Sequence, residues 1–118
     1  MRAAVYSRNG AAREVLSVVE LPTPSPGAGE VRVKVAWSGV NPSDVKTRLG
    51  LRAPLEFPLV IPHCDGAGVI DAVGTGVGAE RIGERVWVWN AQWERAFGTA
   101  AEYITLPEQQ AVRLPDNI

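Results

Sequence analysis

The chain is short of every residue that builds a metal cage or a covalent framework. Its 118 residues include one cysteine, one histidine and one methionine. A lone Cys64 excludes an intrachain disulfide framework and fits a reducing, cytoplasmic compartment. A structural zinc site needs about four Cys or His ligands. Here the two candidates, His63 and Cys64, are neighbours, and neighbours on extended backbone point to opposite faces. A charge excess is also missing. Twelve basic and 13 acidic residues leave a net charge of −1, which offers no electrostatic footprint for nucleic acid or an anionic membrane. No apolar run approaches the roughly 18 residues of a membrane-spanning helix. Arg8 interrupts the opening MRAAVYSR too early for a signal peptide.

What the chain has in excess is turn formers. Twelve glycines and nine prolines exceed the roughly 14 expected together at average usage. They carry no repeat period, so they punctuate rather than polymerise. Length fits one domain, and 46% hydrophobic with 21% charged residues fits a packed core. Between the turns lie short β-branched runs. Residues 2–6 (RAAVY) and 15–21 (VLSVVEL) read as strands, the second followed by PTPSPGAGE, which can only be loop. Val31, Val33 and Val35 alternate with Arg32 and Lys34, the pattern of a half-buried strand. Residues 67–73, 85–89, 100–106 and 111–114 complete the strand set. Asn41-Pro42 with Ser43 is a helix start, Val45 and Leu49 share a helix face, and Gly50 is a stop. RAPLEFPLVIP is too rich in proline for a regular element. Six or seven strands, one helix and no helical crossovers predict an all-β barrel or sandwich.

Chemistry-bearing patterns are sparse. Gly74-Thr75-Gly76-Val77-Gly78 lacks the lysine and the capped helix of a phosphate loop, and reads as a turn leading to the next strand. No G-x-S-x-G elbow is present. Locally, Asn41-Pro42-Ser43-Asp44 is a plain helix cap. Trp37, Trp87 and Trp89 fall on strands and read as core or inter-domain packing, whereas Trp93 lies in irregular sequence.

Three segments, in order, resemble the zinc-independent quinone oxidoreductase branch of the medium-chain dehydrogenase/reductase superfamily. The first is Ser38-Gly39-Val40-Asn41-Pro42-Ser43-Asp44, with Arg48 and Gly50 following. The second is Pro62-His63-Cys64-Asp65-Gly66-Ala67-Gly68-Val69, then Val73-Gly74. The third runs from Asn90-Ala91-Gln92-Trp93 to Gly98-Thr99-Ala100-Ala101-Glu102-Tyr103. The resemblance implies a GroES-like catalytic domain over 1–118, mainly β, a distorted barrel with one or two short helices. It also implies a piece of a longer enzyme, with RLPDNI standing just before a Rossmann cofactor domain.

The same resemblance assigns roles. Asn41 and Asp44 would sit near the nicotinamide and its ribose, and Arg48 would help hold NADPH. Ser43 falls at the hydroxyl proton-relay position of zinc-dependent relatives, so Asn41, Ser43 and Asp44 are the catalytic candidates. His63, Asp65 and Trp93 are the substrate candidates, with Asp65 expected to pair with a basic residue and Trp93 to stack on a flat quinone. Asn41 and Cys64 stand where zinc-dependent relatives carry a cysteine and a histidine ligand, so no zinc is expected. His63 replaces the branch's usual glycine. The implied whole is a cytoplasmic homodimer that passes hydride from NADPH to a quinone or an α,β-unsaturated carbonyl. A zinc-type alcohol dehydrogenase domain and a GroES-like assembly or binding module without catalysis are the alternatives.

Overall fold

The computed structural model describes residues 1–118 and is mainly β. Strand β1 (Arg2–Val5) pairs antiparallel with β2 (Ser17–Glu20) as a two-stranded sheet. Between them is a single helical turn, α1 (Ala12–Val15). The stretch 15–21 is therefore not one strand. β1 offers only four residues to pair with, and these reach Ser17–Glu20. Val15 instead closes a turn, its N–H on the Ala11 carbonyl.

The larger sheet is built on β3 (Glu30–Gly39) and β4 (Asp65–Val73), which pair antiparallel. β5 (Arg85–Val88) flanks β4, and β6 (Tyr103–Pro107) flanks β3. β7 (Ala111–Arg113) adds to β5, giving the order β6-β3-β4-β5-β7. The two edges, β6 and β7, are joined by only three residues, a 3-10 turn over Glu108–Gln110. Four backbone steps reach at most about 14 Å. The edges of a flat five-stranded sheet stand about 19 Å apart. The sheet must therefore curl until its edges approach, which makes a barrel-like shape. Its ladder stays open at that seam, since β6 and β7 do not pair. Closure in the strict sense is absent because the link is spent on the turn.

The alternating residues do what alternation demands. Val31, Val33, Ile70, Val86, Val88, Ile104 and Leu106 are no more than 2% exposed and form one core inside the curl. Arg32 points outward, its guanidinium bidentate on Asp71 at 2.8 and 3.2 Å. A smaller core of Ala3, Val5 and Ile61 lies under the two-stranded sheet. The expectation for the strand tryptophans fails in part. Trp87 and Trp89 are about two fifths exposed and Trp37 is 77% exposed, so none belongs to the core. Trp87 shares β5 with Val86 and Val88 but takes its outer face, Trp89 follows the end of that strand, and Trp37 lies on β3. After the Gly74–Gly78 turn the chain enters a 3-10 turn (Ala79–Arg81) before reaching β5.

Helix α2 (Pro42–Leu49) starts and stops where expected. Asn41 is its N-cap, and Pro42 occupies the first turn, where a missing N–H is harmless. Gly50 ends it in the left-handed region at φ 79°, with the Leu51 N–H reaching back to the Lys46 carbonyl. Its burial is inverted relative to its apolar pattern. Val45 and Leu49 are exposed, and the one buried side chain is Asp44.

Candidate functional site

Asp44 is buried because it closes the helix cap: its Oδ2 accepts the Asn41 N–H at 2.7 Å. That bond turns one wall of α2 toward the proline-rich segment after Leu51. Between them, with Cys64 and Gln92 opposite, lies a cavity of about 310 Å³. Ser43, Asp44 and Thr47 line it from the helix, Arg52 and Phe57 from the proline-rich segment, and Tyr6 from the end of β1. A shallower depression of similar volume, between Val35 and Glu102, offers less chemistry. The Glu102 carboxylate is held below the usual range by the Arg2 backbone N–H.

Cys64 is half-buried, its Sγ 3.7 Å from Gln92 Oε1. Burial pushes the thiol pKa up, against a smaller opposing effect from the Gln92 backbone. At neutral pH it is a protonated, weakly polar wall rather than a thiolate. Tyr6 is 2% exposed, and burial likewise raises its phenol pKa, opposed by the nearby Arg48 charge. Arg48 itself donates through Nε to the Gly10 carbonyl at 3.3 Å, tying α2 to the Asn9–Gly10 corner.

At the start of β4 a second group forms. Asn41 donates through Nδ2 to Asp65 Oδ2 at 2.7 Å. No basic side chain pairs with Asp65. The partner expected to be basic is thus an amide, because α2's cap already brings Asn41 to the carboxylate. His63 departs from extended geometry altogether. Its φ of 81° is left-handed, which favours glycine, the residue that the resemblance implies at this position. His63 Nδ1 lies 2.8 Å from Ser38 Oγ, which is 2.8 Å from Thr99 Oγ1. The Thr99 hydroxyl donates to the Asp65 carbonyl at 2.7 Å. Ser38 has one proton for two partners, so all three bonds form together only when His63 Nδ1 carries a proton.

Apart from Arg48, which is tied to the Gly10 corner, the candidates from sequence fall into three places. Ser43 and Asp44 share the cavity with Cys64. Asn41, Asp65 and His63 form the adjoining network. Trp93 lies apart, 64% exposed, in a groove with Trp89 and Pro107 that shares no residue with the cavity. Sequence reasoning missed Tyr6, Gln92 and Thr99. Gln92 and Thr99 lie within the third resembling segment but carried no assigned role, Tyr6 lies in none, and only the topology brings the three here.

The donor set does not fit a metal ion. Asn41 presents a committed amide, and nowhere do three His, Cys, Asp or Glu side chains converge. The exposed Asp65 carboxylate offers acceptors, suited to hydroxyl groups and unsuited to phosphate.

Comparison with known proteins agrees with this architecture. Residues 27–116 match the family described as the alcohol dehydrogenase GroES-like domain. The chain is 49% identical over 73 residues to the starvation-sensing protein RspB of Escherichia coli, covering 62% of this chain and 21% of that protein. It superposes on the E. coli quinone oxidoreductase complexed with NADPH at a TM-score of 0.87, with 27% identity, over all of this chain and 34% of that one. The cobalt- and zinc-bound thermostable alcohol dehydrogenase of Pyrobaculum aerophilum gives a TM-score of 0.81 and 33% identity, over 96% of this chain and 41% of that one. The chain thus spans about a fifth of the curated relatives' length. It belongs to the alcohol dehydrogenase GroES-like domain family, the N-terminal domain of medium-chain dehydrogenase/reductases.

Proposed function

We propose that this domain forms the substrate side of an NADPH-dependent, zinc-independent oxidoreductase acting on quinones or α,β-unsaturated carbonyls. The observation that carries the reading is the pair Asn41–Asp65, joined at 2.7 Å beside Cys64. By the resemblance, Asn41 and Cys64 stand where zinc-dependent relatives hold metal ligands, and here Asn41 is engaged in a hydrogen bond instead. The NADPH complex of the E. coli quinone oxidoreductase supports the choice of cofactor.

The cofactor, when bound, supplies a hydride. Without a Lewis acid, the acceptor must stabilise the added electron pair itself, which quinones and enones do by delocalising it to oxygen. Asn41 and Asp65, already joined, would hold the ribose hydroxyls of the cofactor, and Asp44 fixes the backbone of Asn41. Ser43, on the cavity wall, relays the proton that the reduced oxygen or carbon takes up from water. The apolar part of the wall, Phe57 and Val60 with the protonated thiol of Cys64, excludes water. The working protein is proposed to be a cytoplasmic homodimer.

The test is NADPH oxidation by the full-length protein with tetramethyl-1,4-benzoquinone, in the presence of a metal chelator. Chelator-resistant turnover is expected. Turnover that disappears with chelator and returns with zinc overturns the reading in favour of a zinc-type alcohol dehydrogenase.

A further inference from the structure

Tyr6 is 2% exposed, yet its hydroxyl has no hydrogen-bond partner in the protein. No fully enclosed side-chain oxygen or nitrogen in the protein lacks a partner, so the Tyr6 hydroxyl itself is not sealed. The Tyr6 hydroxyl therefore opens into the cavity that Tyr6 lines with Ser43, Asp44 and Cys64. The helix hydroxyls on that wall, Ser43 and Thr47, also lack protein partners, but they sit nearer solvent. Tyr6 is the deep donor of the set.

The proximity of Asp44, Cys64 and Arg48 to Tyr6 matters for what it can bind. The lining sets two carboxylates, Asp44 and Glu56, against two guanidiniums, Arg52 and Arg95, so the cavity carries no formal excess of either sign. Cys64 is a poor donor and already faces Gln92. A neutral ligand oxygen with lone pairs is the complement: a ketone, aldehyde or quinone carbonyl. We infer that Tyr6 is a substrate-contacting residue that donates a hydrogen bond to the carbonyl oxygen of the ligand at the inner end of this cavity. The inference rests on the proposed function for the meaning of that contact. There, the hydrogen bond polarises the carbonyl, and the negative charge that develops on oxygen strengthens it. Burial keeps the phenol protonated, so it remains a donor through the neutral range.

The experiment compares two ligands of like shape, acetophenone and ethylbenzene, only one of which carries an acceptor oxygen. Their binding to the full-length protein without NADPH is followed by chemical shifts of the Tyr6 and Cys64 amides. Wild type is expected to favour acetophenone by about tenfold, and Tyr6→Phe to bind both within twofold while keeping the ethylbenzene affinity. That retained affinity shows the cavity is intact. In turnover, Tyr6→Phe is expected to lower kcat/KM for the quinone by tenfold or more. A Tyr6→Phe protein that still discriminates overturns the inference, as does a wild type that binds neither ligand or both equally. Loss of discrimination in a protein that never oxidises NADPH leaves Tyr6 as the carbonyl donor and removes the reductase reading instead.

Discussion

The side-chain amide of Asn41 donates to Asp65 across 2.7 Å, fastening the N-cap of α2 to the first residue of β4. Its backbone N–H simultaneously holds Asp44. Asn41 thus sits between two carboxylates and is tolerated there because an amide can donate. Asn41→Ala removes one bond to an exposed carboxylate and is expected to cost about 1 kcal/mol. Asn41→Asp places a third carboxylate in the group and is expected to cost more at pH 7, recovering toward the alanine variant at pH 4. Urea unfolding at both pH values checks this; equal stability of the two variants at pH 7 contradicts it.

The strands were legible wherever one face meets the core and the other meets solvent. Val31/Val33 and Val86/Val88 declare themselves by alternation, and all four are buried. The ends of α2 were legible too, because Asn41, Pro42 and Gly50 act through local geometry. Other features depend on distant partners. The break at Leu16 follows from the length of β1, and the open seam follows from the edge link at Glu108–Gln110. The site divided along the same line. Ser43 and Asp44 came with their helix, and Asn41 came with its cap. Trp93 was judged by chemistry alone, and the turn that carries it faces another groove. Tyr6 enters the cavity only because the bridge from Tyr6 to Val60 lays it there.

His63 holds a left-handed backbone with a side chain that rewards it. The φ of 81° costs a non-glycine residue about 1–2 kcal/mol. The bond to Ser38 offsets part of that cost. His63→Gly removes both the strain and the bond, whereas His63→Ala removes only the bond. The glycine variant is therefore expected to exceed the alanine variant in stability by about 1 kcal/mol. Measured urea midpoints in the reverse order would show that the strain is not there. Gly98→Ala gives a companion result. A Cβ at Gly98 would collide with the His63 carbonyl backbone, so this variant is expected to be strongly destabilised.

Arg95 is a half-buried guanidinium with no carboxylate in salt-bridge reach. Burial draws its pKa down. It bonds instead to neutral acceptors, the Ala91 carbonyl at 3.1 Å and Gln110 Oε1 at 3.0 Å. Gln110 passes its own amide to the Trp89 and Asn90 carbonyls, each at 2.8 Å. The pair braces the turn that joins β6 to β7 across the open seam. Arg95→Met keeps the apolar stem and loses the fork, at an expected cost of about 1–3 kcal/mol. Amide exchange at Gln110–Val112 is expected to accelerate more than exchange in β3. Uniform acceleration across the sheet would mean the brace is not local.

Cys64 gives the alkaline counterpart. Burial raises the thiol pKa in the folded protein above its value in the unfolded chain. Below the unfolded value both states keep the proton, and the thiol contributes no pH dependence. Above it, the unfolded chain releases its proton first and binds fewer protons than the native state. Stability therefore falls as pH rises between the unfolded and folded pKa values. Cys64→Ser removes that titration, so its stability is expected to decline less than wild type between about pH 8 and pH 10, with the unperturbed thiol near 8.5. Alkylation of native Cys64 by iodoacetamide follows the thiolate, so its rate is expected to rise at a higher pH than for a free cysteine. A rate profile centred at or below the free-thiol value would place a thiolate in the cavity and reverse the assignment of Cys64 as a neutral wall.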